Sequence, residues 1–118
     1  MLPLALVRNP GGHPRAVKGL VNAKLMAKEH PETFFVPSDA EIKRVKPGDF
    51  VKLARNDERF WVRVTGWVGK KWHGTVANEL ICNDDLPYGS SIYFTKKNIY
   101  DVMRQGVLAK LKRALGFS

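Results

Sequence analysis

The stretch Lys46-Pro47-Gly48-Asp49-Phe50-Val51-Lys52-Leu53, followed by Glu58-Arg59-Phe60-Trp61-Val62-Arg63-Val64, decides how this chain folds. Pro47 presets one turn dihedral and Gly48 tolerates the next, so Lys46 to Asp49 reads as a turn opening a strand. Asp49 is placed to accept backbone hydrogen bonds within that turn. The spacing predicts strands over Phe50–Ala54 and Phe60–Val68, joined by the charged bend Arg55-Asn56-Asp57-Glu58. Alternation then puts Phe60, Val62 and Val64 on one face and Trp61, Arg63 and Thr65 on the other. Such a pair is the start of a small antiparallel sheet.

Downstream, Gly69-Lys70 suits a tight turn before a strand over Lys71–Leu80. Asn83-Asp84-Asp85 and Pro87-Tyr88-Gly89 bend the chain ahead of a last strand, Ser91–Phe94. Short strands with Gly and Pro corners predict an α+β domain built on a strongly bent antiparallel sheet or a partly open SH3-like barrel. Helices are expected at both ends. Pro14 suits the first turn of one, with Ala16, Leu20, Ala23 and Ala27 as its stripe and Pro31 as its limit. Gly19 weakens that helix by roughly 1 kcal/mol relative to Ala. Thr33–Val36 reads as extended, and Ser38 with Glu41 forms a capping box for a helical turn over Ala40–Val45. Asn98 is positioned to cap a final helix from Ile99 towards Leu115.

A chain of 118 residues with 44% hydrophobic content fits one folded domain with one modest core. Its net charge of +9 is unevenly placed. Residues 1–30, a loop and helix, carry five basic residues against one acid, and residues 96–118, the C-terminal helix, carry six against one. The β-rich middle, 31–95, has nine of each and is neutral. Basic arms on a neutral core suit an anionic partner, or serve solubility alone. The single cysteine, Cys82, excludes an intrachain disulfide and a thiolate metal cluster. Leu2 to Val7, broken by Pro3, is too short for a signal core or a membrane span, so a cytoplasmic protein is expected.

Residues from about 31 to 101 carry a likeness as well. Pro31-Glu32-Thr33-Phe34 leading to Pro37-Ser38, then Pro47-Gly48-Asp49 with Val51-Lys52-Leu53, Glu58 to Val64, Gly74-Thr75-Val76-Ala77-Asn78, and finally Leu86, Gly89, Ile92, Phe94 and Ile99 resemble the bacterial DUF2314 family (YegJ-like, a domain of unknown function). Ser90 stands where that family usually has an acidic residue, and Leu80 where a proline is common; both are turn or rim positions. The resemblance implies a fold but no catalytic residue, cofactor or substrate class.

The residues themselves lean away from an enzyme. No HExxH, Walker, nucleophile-elbow or dinucleotide pattern occurs. Cys82 with His73 is the one conceivable nucleophilic pair, and a structural, partly buried thiol is the simpler reading of Cys82. His13, His30 and His73 lack the spacing of common zinc sites, and no cofactor is expected. Asp84-Asp85 reads as a solvated turn, and Glu58-Arg59 as a hairpin end.

A noncatalytic binding module is therefore the expected function, in a protein-interaction or adaptor role, with weakly sequence-specific nucleic-acid binding as the close alternative. For DNA or RNA, the candidates are Trp67 and Trp72 flanking Lys70 and Lys71, with Trp61 and Arg63 nearby. Lys18, Lys24 and Lys28 would add charge from the first helix, and Lys110, Lys112 and Arg113 from the last. Trp67 and Trp72 have a second reading as a cross-strand pair that stabilises the hairpin. Trp61 either packs beneath a helix or joins a binding face. For a protein partner or self-association, Leu108, Leu111, Leu115 and Phe117 are the candidate docking face. Membrane-surface docking by the same tail is disfavoured because its polar and apolar faces are poorly separated.

Overall fold

The structure, a computed structural model, describes residues 13–106. Five antiparallel strands form one sheet: β1 (Phe50–Arg55), β2 (Glu58–Val68), β3 (Lys71–Val76), β4 (Ser91–Phe94) and β5 (Asp101–Met103). Their spatial order is β4-β3-β2-β1-β5, so the last strand returns to pair with the first. The sheet is not fully closed, because β4 and β5 form its two ends. This is the expected small α+β fold on an antiparallel sheet, accompanied by two helices, α1 (Ala23–Glu29) and α2 (Asp39–Lys43).

Turn chemistry sets the registers. Asn56 and Asp57 have φ of 52° and 61°, the two positive values that a type I′ hairpin demands, and Arg55 faces Glu58 across it. Gly69, with φ of 62°, opens the β2–β3 turn, with Val68 opposite Lys71. Between these ends β2 shifts register at Val64/Gly66, a bulge that helps the sheet curl. Gly74 sits opposite Val64 in the curl; a Cβ there would collide with the Arg63 carbonyl and the Val62 side chain.

The predicted alternation holds. Phe60, Val62 and Val64 are buried with Val51, Leu53, Trp72, Val76, Ile92 and Phe94, while Trp61 is half-buried and Arg63 and Thr65 are exposed. Ile42 from α2, with Val45, Leu86 and Ile99, completes this core. A second, smaller cluster joins Ala23 of α1 to Ala54 and Tyr100. Asp49, 1% exposed, accepts from the backbone N–H of Lys46 (3.1 Å) and of Gln105 (3.0 Å), so the opening turn is closed by its own carboxylate. The Ser38–Glu41 capping box is present as expected.

Four boundaries differ from the sequence reading, each for a visible reason. The first helix begins at Ala23, not Ala16, because Asn22 caps it and the preceding residues have other partners. Gly19 turns at φ of 87°, Arg55 Nε donates to the Lys18 carbonyl (2.7 Å), and Arg15 pairs in parallel with Ile92 along the free edge of β4. That pairing covers the edge. Strand β3 stops at Val76 and does not reach Leu80. The Asn78 side chain takes the Trp61 N–H (2.7 Å), substituting for the next rung of the ladder.

Thr33–Val36 belongs to no strand; it turns and then covers the second cluster through Phe34 and Val36. Ile99 does not start a helix. Thr95 to Asn98 form a tight 3-10 turn instead, Tyr100 N–H donates to the Lys52 carbonyl (2.8 Å), and Asp101–Met103 adds β5 beside β1. The remainder of the expected C-terminal helix, with Leu108, Lys110, Leu111, Lys112, Arg113, Leu115 and Phe117, lies outside the described residues.

Candidate functional site

The long strand β2 carries a hairpin turn at each end, and the chemistry of the two ends is opposite. At the Glu58 end, polar groups are consumed by one another. The Glu58 carboxylate accepts from Ile81 N–H (2.7 Å), Cys82 N–H (2.8 Å) and Asn83 Nδ2 (3.0 Å). Asn83, buried to 2% exposure, also donates to the Arg55 carbonyl and accepts from Arg55 and Asn56. Arg55 then pairs with Asp85 at 2.8 Å, and Arg15 donates to the Asp85 carbonyl. The Ile81 N–H bond, reinforced by Asn83 and Cys82 against partial desolvation, holds Glu58 below the usual carboxylate range. Arg55 does the same for Asp85, first by hydrogen bond and then by charge. Asp84-Asp85 is the exposed turn expected, and Asp85 in addition pairs with Arg55.

At the other end, β2 and β3 meet the 3-10 turn. Asn98 Oδ1 accepts from the Thr95 N–H (2.9 Å) and hydroxyl (3.1 Å), and its Nδ2 donates to the Val21 carbonyl (3.0 Å). So fixed, the turn presents Lys96 and Lys97 beside the hairpin tip. The result is a cleft of about 410 Å³ lined by Gly69, Lys70, Trp72, Thr95, Lys96 and Lys97. That volume falls within the range of about 300–1,000 Å³ for small-molecule sites. Three of its six lining residues are lysines and none is acidic. Among the described residues, none of the three lysines has a carboxylate within ion-pair distance.

The tryptophans settle into different roles here. Trp72 is buried and packs edge-on against Phe94 (6.0 Å between ring centroids). Trp67 faces Trp72 across the hairpin at 5.5 Å, as the cross-strand reading expected, yet remains 49% exposed. Trp61 lies on the outward sheet face, outside the second cluster, with Lys52 Nζ 4.8 Å above its ring. Lys71 similarly lies over Tyr93 (5.6 Å).

Of the sequence candidates, the fold therefore brings together Trp67, Lys70 and Trp72. Lys71 flanks them, lining a neighbouring depression with Tyr93 and Thr95. Trp61 and Arg63 lie further along β2 and do not line the cleft. Lys24 is engaged with Asp39 at 3.0 Å, an interaction that lowers the Asp39 carboxyl. Lys18 and Lys28 are exposed but outside the cleft.

Lys96 and Lys97 were missed as site residues because they sit 26 or more positions from Lys70 in sequence. Only the return of β4 alongside β3 joins them. The Lys-Lys pair next to Thr95 and Asn98 was the available signal.

Cys82 and His73 do not meet. Cys82 is bound through its N–H to Glu58, whereas His73 pairs with Gly66, eight positions along β2, or roughly 25 Å of extended strand. His73 instead shares a 2.7 Å hydrogen bond with the Thr65 hydroxyl. Cys82 is exposed, not partly buried, because Glu58 ties its backbone into a surface bend. Among the described residues, no group of three His, Cys, Asp or Glu is arranged to hold a metal ion. No helix among them is long and apolar enough to cross a membrane.

A second depression, of about 340 Å³, lies beneath the 33–37 segment. It mixes Lys52 and Arg59 with Glu41 and Asp101, and Arg59 rests over Tyr100 at 4.7 Å. Its charges balance, unlike those of the lysine cleft.

Compared with family models, with curated proteins and with solved structures, the chain matches none.

Proposed function

We propose that this chain is a noncatalytic binding module that docks nucleic acid at the cleft between the β2–β3 tip and the 3-10 turn. The observation that carries the reading is the cleft's lining: Lys70, Lys96 and Lys97, with no acidic residue, held beside exposed apolar surface. Unpaired ammonium groups at a rigid site attract a polyanion, and phosphates along a backbone satisfy several of them at once. Contact through the backbone gives little sequence preference.

The protein-interaction or adaptor reading led at the level of sequence. It rested on Leu108, Leu111, Leu115 and Phe117, which lie outside the described residues. The cleft's three lysines, with no acidic residue in its lining, favour the nucleic-acid alternative. A catalytic role for Cys82 with His73 finds no support in their separation along β2. Membership of the DUF2314 family is likewise a proposal; it would supply a scaffold without changing this choice.

The test is fluorescence anisotropy with short DNA and RNA across a salt series. Three lysine contacts predict a slope of log affinity against log salt of roughly −2 for a single strand. The charge-reversed double variant K96E/K97E should lose at least about tenfold in affinity at low salt. Absence of binding at low salt would sink the reading and return the question to a protein partner.

A further inference from the structure

Resting on the reading of the cleft as a nucleic-acid site, we infer that its ligand is single-stranded, with one unpaired base stacked on Trp67. Lysines alone would not distinguish a duplex from a single strand, since both present phosphates. The aromatic geometry does. Trp67 contacts Trp72 through one side at 5.5 Å and 40° between planes, and 49% of its surface is still open. A hairpin that needed only a cross-strand pair would be served by the buried contact; the open half of the indole is surplus to it.

Val68, 66% exposed, pairs with Lys71 and so lies on the opposite face of the hairpin, leaving the indole as the apolar surface on the Trp72 side. A duplex meeting this tip would set phosphates against apolar groups while its bases stayed inside the helix. An unpaired base, in contrast, offers a π face to the indole while its phosphates reach Lys70, Lys96 and Lys97. The path also has somewhere to go. Beyond Thr95, which lines both hollows, a neighbouring depression of about 260 Å³ presents Lys71 and Tyr93. A strand leaving the cleft over Thr95 would meet a second aromatic and a fourth lysine.

The experiment compares matched single-stranded and duplex oligonucleotides, heparin and polyglutamate, at one salt concentration, with wild type, W67A and W67F. Tight single-strand binding, about tenfold weaker in W67A and largely restored in W67F, is expected. Heparin binding should stay unchanged in W67A, because no base is involved. The residue is exposed, so circular dichroism should show both variants folded.

Equal affinity for duplex and single strand, or a single strand indifferent to W67A, overturns the inference while leaving salt-sensitive nucleic-acid binding in place. Polyglutamate binding as tight as the oligonucleotide overturns it too, and points to an acidic protein surface. Binding of none of the four probes removes the underlying reading as well.

Discussion

The two hairpin turns of β2 differ in what they hold, charges of both signs at Arg55–Glu58 and lysines without an acid at Gly69–Lys71. Around Arg55–Glu58, two acids, an arginine and a buried asparagine satisfy one another, and the 81–85 segment is fastened to the turn. Around Gly69–Lys70, lysines face outward with no ion-pair partner among the described residues, and an indole packed on Trp72 keeps about half of its surface open. A network whose donors and acceptors are matched internally stabilises the fold. A cluster whose charge is unmatched does little for the fold and is available to a ligand. Mutations should therefore separate the two ends cleanly, stability responding at one and binding at the other.

The largest stability effect is expected from N83A. Its side chain donates to the Arg55 carbonyl and to Glu58, and accepts from Arg55 and Asn56, all in a nearly water-free position. Truncation leaves those groups without partners, at a cost of about 2–3 kcal/mol. Urea denaturation should show the lowered midpoint, with oligonucleotide affinity unchanged once the protein is folded. A loss of binding from folded N83A would collapse the distinction between the ends.

The clamp should also give the protein a pH signature. Glu58 is lowered from its ordinary value of 4.5 by hydrogen bonds that exist only in the folded chain. Between the two values the unfolded chain binds more protons, so stability rises with pH there. Glu58's contribution is complete above pH 4.5 and disappears as pH falls through the folded value. Asp85, lowered from 3.8 by Arg55, extends the decline further into acid. Thermal melts of wild type should thus steepen their fall below pH 4.5, and E58Q should be less stable at neutral pH but flatter through that window. Identical profiles for the two proteins would mean that the carboxylate is not the fastener.

How much of this could be read from sequence divides along the same line. Local chemistry was legible: Pro47-Gly48-Asp49 as a turn, Ser38 with Glu41 as a box, Gly69 as a corner, and the alternation through Phe60 to Val64. These signals are carried by residues within a few positions of each other. The helical stripe from Ala16 misled because the Lys18 carbonyl and the Arg15 backbone find partners in Arg55 and β4. Asn98 looked like the cap of a long helix, and it does cap, but backward onto Thr95. Half of the site was legible as Trp67-Lys70-Trp72. The Lys96 and Lys97 half exists only because β4 returns beside β3, and no short-range pattern encodes that.

The smallest stability effect, and the sharpest test of the contrast, belongs to the lysines. Lys70, Lys96 and Lys97 are exposed and make no ion pair among the described residues. Neutralising them as K70Q/K96Q/K97Q removes mutual repulsion as well as three solvated cations, so stability should change by no more than about 0.5 kcal/mol per site in either direction. If the charges are held out for a ligand, the same triple variant should flatten the salt dependence of nucleic-acid binding by about 2 in slope. A marked loss of stability would instead make them structural, with partners that act on the folded chain. Unchanged stability together with a collapsed salt slope is what an end of the sheet kept free for a polyanion requires.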